Sequence, residues 1–233
     1  MIAREGLTLI LTGAAITAVL LLAAVRWDSL ILASLAGVFA LLSVFTTFFF
    51  RDPPRDISSQ PDVLVAPADG RILAIDSLAH HDYIGGETIK ISIFLSVFDV
   101  HINRIPTAGV IDFAEFHPGA FFSAFKDEAS RDNQHSEIGM VATGGHRIVV
   151  KQITGSIARR IIYHLKPGQK VATGERFGLI RFGSRTELFV PVGSDIEIKV
   201  GDKVKGGLTI IGRLPEAQVD ETQTTALGQD RQL

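Results

Sequence analysis

Four short segments of the 233-residue chain hold side chains that could do chemistry. Pro67-Ala68-Asp69-Gly70 offers a carboxylate inside a turn-forming context. Phe98-Asp99-Val100-His101-Ile102-Asn103-Arg104-Ile105-Pro106 packs an imidazole, an amide and a guanidinium into a few residues directly after the apolar run Ile91–Leu95. Such a polar group at a strand end suits acid–base work or a grip on an anion. The region from His117 to His135 sets Phe121, Phe122 and Phe125 on one flank and charge behind them, a pattern that serves either core packing or contact with lipid. Arg181-Phe182-Gly183-Ser184-Arg185 contains a Gly-Ser step between two candidate strands.

Each of these has an ordinary structural use. An Asp-Gly pair is commonly a hairpin turn, and a Gly-Ser step a turn or bulge. The Gly-Ser step nevertheless has a reaction of its own. A glycine carbonyl has no side chain to hinder attack by the next hydroxyl. Ser184 Oγ attack on the Gly183 carbonyl would turn the amide into an ester. β-Elimination would leave dehydroalanine, which hydrolyses to a pyruvoyl group, an electrophilic carbonyl able to form a Schiff base.

Composition removes several other chemistries. The chain has no cysteine, which excludes disulfides, thiolate nucleophiles and Cys-ligated metals. A net charge of −2 does not suit a polyanion binder, so no nucleic-acid partner is expected. No metal site is expected. No G-x-S-x-G elbow surrounds Ser184, which argues against a membrane serine hydrolase.

The elements that must position these segments fall into three parts. Residues 1–56 hold two uncharged runs, Leu7–Val25 and Ser29–Phe50, each able to span roughly 30 Å of hydrocarbon as a helix. Arg26-Trp27-Asp28 allows only a tight turn between them, so they read as a membrane hairpin; an in-plane anchor or a buried helical pair is the blander alternative. Arg4 before the hairpin and Arg51 and Arg55 after it, against Arg26 in the turn, place both ends in the cytoplasm. Residues 57–214 read as a β-rich domain. Strands are predicted at Val63–Ala66, Ile89–Leu95, Arg147–Ile153, Arg160–Leu165, Glu187–Val192, Ile196–Val200 and Leu208–Leu214, with one helix from Gly119 to about Ser136. Residues 215–233 form a polar tail. Gly168-Gln-Lys-Val-Ala-Thr-Gly174 and Gly201-Asp-Lys-Val-Lys-Gly-Gly207 share G-x-K-V-x-x-G, turns of the kind found in lipoyl-like hammerheads. The fold class is therefore mainly β within α+β, a sandwich or barrel-like domain behind a helical hairpin.

Taken in order, Ala66-Pro-Ala-Asp-Gly70, Phe94-Leu-Ser-Val-Phe-Asp-Val-His-Ile-Asn-Arg-Ile-Pro106, Asp132-Asn133 and Arg181-Phe-Gly-Ser-Arg185 followed by Pro191 resemble phosphatidylserine decarboxylases of the short bacterial and archaeal class. The resemblance spans residues 49–214, including the Phe-Phe-Arg-Asp-Pro linker. It implies a proenzyme that cuts itself between Gly183 and Ser184, giving a β chain of residues 1–183 and an α chain of 184–233 that remain associated. The α chain would be capped by a pyruvoyl group derived from Ser184. The implied activity is decarboxylation of phosphatidylserine to phosphatidylethanolamine and CO2 through a Schiff base, at the cytoplasmic face of the cell membrane. An oligomer of identical chains is left open.

The resemblance also implies catalytic roles for Ser184, His101 and Asp69. Arg104, Arg185, Asn133, Phe121, Phe122 and Phe125 become candidates for holding headgroup and acyl chains. It breaks at one point. Longer family members carry His-x-x-His at this strand end; His101 matches the first histidine, but Arg104 stands at the second. His117, His135, His146 and His164 are the remaining candidates, while His80 and His81 suit a solvated loop. Where the family commonly has Asn-Glu-Arg this chain has Asn133-Gln134-His135, so only Asn133 carries over. The competing reading is a membrane-tethered, lipoyl-like adaptor without catalysis. Self-cleavage, lying wholly in the β-rich part, is expected to survive deletion of residues 1–50.

Overall fold

A computed structural model describes residues 1–57, 63–156, 160–181 and 183–216. Phe182 of the Gly-Ser segment and the predicted tail from 217 onward lie outside the described residues.

Two helices, α1 (Arg4–Arg26) and α2 (Leu30–Phe49), open the chain. Between them Asp28 takes a left-handed φ of 45°, which Asp tolerates better than most residues, and Ser29 Oγ caps the N–H of Leu32. Their far ends are zipped together, with Ala3 N–H donating to Phe50 O at 2.8 Å and Asp52 N–H to Met1 O at 2.7 Å. Both helices are long and apolar enough to cross a membrane, and only 6% of each apolar window is buried. That low burial separates them from the core helices of a soluble domain.

The remainder is mainly β, as expected. In chain order the strands are β1 (Val63–Val65), β2 (Gly70–His81), β3 (Gly86–Leu95), β4 (Ile102–Arg104), β5 (Gly109–His117), β6 (His135–Ala142), β7 (Arg147–Thr154), β8 (Ile161–Tyr163), β9 (Lys170–Val171), β10 (Arg176–Ile180), β11 (Ser184–Pro191), β12 (Asp195–Ile196), β13 (Lys203–Val204) and β14 (Ile210–Arg213). An eight-stranded curled sheet runs β13-β2-β3-β11-β7-β6-β5-β9, and two three-stranded sheets run β1-β14-β12 and β4-β10-β8. Alternate residues of the large sheet fill one core: Ile91, Ile93 and Leu95 from β3, Leu188 and Val190 from β11, Ile148 and Val150 from β7. At the centre of the sheet, β11 is buried from Ser184 to Val190 on both faces.

Two expectations are corrected. The predicted strand Ile196–Val200 shrinks to β12, because the chain turns from residue 200 toward Gly201. The predicted helix from Gly119 to Ser136 is mostly an extended loop, with only α3 (Asp127–Asp132) helical. The cause is Asn133. Its Oδ1 accepts from Phe122 N–H at 2.7 Å and its Nδ2 donates to Phe122 O at 2.8 Å, so the side chain takes the backbone groups a helix would need.

The paired G-x-K-V turns belong to a larger duplication. Val63–Val65 runs into Ala66-Pro-Ala-Asp-Gly70, and Ile102–Arg104 runs into Ile105-Pro-Thr-Ala-Gly109. Val65 N–H donates to Pro106 O at 2.8 Å, and reciprocally Arg104 N–H donates to Pro67 O at 2.9 Å. Gly207 N–H reaches Ala66 O, and Gly174 N–H reaches Ile105 O. Gly168, Gly174, Gly201 and Gly207 all sit at positive φ, between 73° and 95°, where a side chain would be strained. The strands inside these turns, β9 and β13, form the two edges of the large sheet.

Candidate active site

Ser184 begins β11 with its backbone paired to Leu95 of β3 on one side and Thr154 of β7 on the other. The residue is fully buried, and its Oγ has no hydrogen-bond partner among the described residues. A buried hydroxyl without a partner forfeits about 1–3 kcal/mol, so such groups are rare unless they serve a reaction. Just before it, Gly183 takes φ +68°, a conformation that favours glycine. A Cβ on Gly155 would stand 2.6 Å from the Gly183 carbonyl oxygen, so Gly155 leaves the space that this carbonyl occupies.

His101 precedes β4 and is buried. Gly183 N–H donates to its Nε2 at 3.2 Å, and its Nδ1 lies 3.0 Å from Asp99 O. A carbonyl can only accept and an amide N–H only donates, so the ring is the neutral tautomer carrying its proton on Nδ1. Burial is the main reason that its pKa falls to about 4; the Asp99 hydrogen bond and the charge of Asp69 oppose the fall, and Arg51 adds to it. Phe49, the last residue of α2, packs at a tilt against the imidazole with centroids 4.3 Å apart, and Phe50 packs behind it with Val100, Ile102 and Leu179. The base of the hairpin thus forms part of the wall around His101. The expectation that residues 1–50 have no part in this chemistry is revised accordingly.

Asp69 does not touch His101. It makes a two-pronged ion pair with Arg55, Oδ1 to Nη1 at 2.6 Å and Oδ2 to Nη2 at 2.8 Å, and accepts from Gly206 N–H at 2.8 Å. Its influence on His101 is through its field.

The two arginines proposed from sequence are engaged internally. Arg104 donates to Gly174 O at 2.9 Å and pairs with the buried Asp52 at 3.4 Å. Arg185 pairs with Glu187 at 2.8 Å and donates to Ser92 Oγ at 2.8 Å, while Ser130 Oγ holds the other Glu187 oxygen. Both are buried, so neither is placed to meet a headgroup. Asn133 secures the loop 118–126 and also donates to Thr154 O at 2.7 Å, the residue paired with Ser184. Phe121, Phe122 and Phe125 are exposed, and Phe125 stacks on Phe94 at 3.8 Å. Beside them lies a mainly apolar cavity of about 260 Å3, bounded by Phe94, Val97, Ala124, Phe125, Gly155 and Gly183.

Among the described residues, no second histidine joins His101 at Gly183. His146 faces the carbonyls of Pro215 and Glu216, His164 faces Glu5, and His117 and His135 stack on each other. Sequence reasoning missed Phe49, Gly155 and Arg55. Phe49 was hidden inside a membrane-type run, and nothing around Thr154-Gly155-Ser156 sets that glycine apart from an ordinary loop glycine.

Comparison with known proteins gives this arrangement a class. Phosphatidylserine decarboxylase proenzyme of Symbiobacterium thermophilum is 42% identical over 215 residues, covering 92% of this chain and 96% of that protein. The proteins of the same name from Desulfotalea psychrophila and Burkholderia pseudomallei are 43% identical over 180 residues and 41% over 215, covering 77% and 92% of this chain and 84% and 96% of their own. The class is that of the carboxy-lyases. The sequence model of phosphatidylserine decarboxylase matches residues 42–212, and the chain belongs to that family.

Proposed function

We propose that the chain is a proenzyme that cuts itself between Gly183 and Ser184 and then decarboxylates phosphatidylserine at a membrane surface. The observation that carries this reading is the buried Ser184 hydroxyl, without a partner among the described residues, directly after a left-handed Gly183 whose N–H is held by a neutral imidazole. Ser184 Oγ adds to the Gly183 carbonyl carbon, the C–N bond breaks, and the Ser184 nitrogen takes up the proton, leaving an ester. Loss of the Gly183 carboxylate by β-elimination gives dehydroalanine. Its imine tautomer takes up water and releases ammonia, so the Ser184 carbons end as a pyruvoyl group.

The site fits such a group. It would head the chain 184–233 and be held by the ladder of β11 between β3 and β7, both of which belong to residues 1–183. The same ladder keeps the two fragments together. The pyruvoyl group supplies an electrophilic carbonyl for Schiff-base chemistry with a primary amine and draws electrons from the bond to the departing carboxylate. His101 holds Gly183 in place, and its free-base form can take a proton at Nε2 once the Gly183 amide moves away. The cavity at Phe94, Val97 and Phe125 accepts apolar substrate, and exposed Phe121 and Phe122 extend it toward lipid. Arg104 and Arg185 are held by buried carboxylates, so among the described residues Arg51, which donates to Phe48 O and Phe98 O without a carboxylate partner and whose charge is felt at His101, is a candidate cation for the lipid phosphate.

The hairpin crosses the membrane with both ends on the cytoplasmic side, and its base carries the site to the headgroup layer. Ser184→Ala tests the proposal. Intact mass should show wild-type fragments 1–183 and 184–233, the latter carrying pyruvoyl, whereas the variant stays one inactive chain. A wild-type protein that remains whole would favour the adaptor. Cleavage of the variant at this bond would remove Ser184 from its role.

A further inference from the structure

The loop that lines the apolar cavity leaves the sheet at His117, the last residue of β5, and returns at His135, the first of β6. These two histidines are directly opposed in the β5–β6 register, and their rings stack with centroids 4.7 Å apart. Two residues away on the same face, Glu115 and Glu137 are opposed in the same register. Facing carboxylates repel across a strand pair unless a cation lies between them. Lys151 of β7 opposes Glu137 but is shared with Glu187, and on the Glu115 side the partner is His117, whose Nε2 lies 3.6 Å from Glu115 Oε2. His135 directs Nδ1 to Asn133 O at 2.7 Å, so that nitrogen carries the proton and Nε2 keeps its lone pair. A backbone carbonyl fixing one ring nitrogen while the other is free is the usual support of a metal-binding imidazole. One donor atom from each of His117, His135 and Glu137 lies within 4.8 Å of the others, with all three residues half-buried.

We propose that His117, His135 and Glu137 form a binding site for a divalent transition metal of the Zn2+ class, which fastens the stem of the loop carrying Phe121, Phe122 and Phe125. Two imidazoles and one carboxylate are a donor set of that class and leave a fourth position for water. The loop has much to gain from a fastened stem. Its inner anchors include the Asn133 side chain, the Ala120–Asn133 backbone bridge and the Ser130–Glu187 contact, and its outer side chains are exposed.

The test is calorimetric titration of tag-free, full-length protein in detergent with ZnCl2. One saturable Zn2+ per chain is expected. His117→Gln, His135→Ala and Glu137→Gln should each weaken it about 10-fold or more, while the exposed control His80→Ala should not. Because His117 is half-buried and outside the hydrophobic core, its variant tests the site without opening that core. Bound Zn2+ should also slow tryptic cleavage after Lys126 and Arg131 in the wild type, with no effect in His117→Gln. No saturable uptake, or uptake unchanged by loss of both histidines, overturns the site. Uptake without protection of Lys126 and Arg131 overturns the fastening of the loop.

Discussion

The turns at Asp69 and Ala108 are built alike and equipped differently. Each follows a short strand and a proline, and each ends in a glycine placed over a carbonyl of the neighbouring strand, Gly70 over Phe94 O and Gly109 over Val141 O. The reciprocal bonds from Val65 to Pro106 and from Arg104 to Pro67 hold them in equivalent settings. One carries a carboxylate and the other a methyl group. The turn therefore needs the proline and the glycine, not an acidic side chain. What Asp69 adds is the pair with Arg55, the bond from Gly206 N–H and a negative field at His101. The traffic also runs the other way, since Asn103 and Arg104 of β4 stand where β1 has Leu64 and Val65. A duplicated frame has kept its turns and divided its polar groups between the copies.

Removing the carboxylate should have the largest effect. Asp69→Ala leaves Arg55, whose side chain is 4% exposed, buried without its partner, a loss of about 3–5 kcal/mol. Proenzyme should accumulate. A merely structural role is separated by the double variant Asp69→Asn/Arg55→Met, which removes both charges together. Its unfolding midpoint should return most of the way toward wild type while self-cleavage, followed on a denaturing gel, stays slow. Full recovery of both would make the pair a fastening only and erase the contrast with Ala108.

A smaller effect is expected at His101. In the folded protein its pKa is about 4, against 6.5 when unfolded, so between those values the unfolded chain binds the extra proton. Stability should fall as pH drops through that window and level off below about 4, by at most about 3 kcal/mol from this residue. Thermal unfolding at pH 7 and pH 5 should show the drop, and His101→Gln should flatten it. The comparison sharpens here: Asp69→Asn should lower the His101 pKa further, read by NMR titration of its ring, because a favourable negative charge is gone. An unchanged titration would confine Asp69 to Arg55 and Gly206.

How much of this was legible depended on whether a residue's role is local. The hairpin, the Gly-Ser step and strands with an unbroken apolar run, such as Ile89–Leu95, announce themselves in sequence. β5 and β6 did not, because each alternates toward a polar face and their pairing is set by a loop whose length hides it. The helix expected over 119–136 failed for a similar reason: Asn133 binds the backbone of Phe122 from across the loop, a contact no periodicity reports. Phe49 read as one more apolar residue of a spanning run, and only the chain's return brings His101 under its ring. The duplication was half visible. The G-x-K-V turns repeat by residue, whereas the proline turns repeat by hydrogen bonding with different side chains between Pro and Gly.

The smallest effect should come from adding polarity to the unequipped turn. Ala108 is half-buried, and its carbonyl accepts from Thr143 N–H at 3.0 Å, a bond made by backbone and indifferent to the side chain. Ala108→Ser keeps the proline, the glycine and every one of those bonds. Surface changes away from special features usually stay within about 0.5 kcal/mol, so the unfolding midpoint and the rate of self-cleavage should both match wild type. Ala108→Asp goes one step further, giving the second turn the carboxylate of the first without supplying an arginine in the place of Arg55. If position alone made Asp69 effective, this variant, built into Asp69→Asn, would restore cleavage. It should not, because the field at His101 and the grip on Gly206 belong to one copy of the frame. Restored cleavage in that double variant would show that the two turns are interchangeable after all.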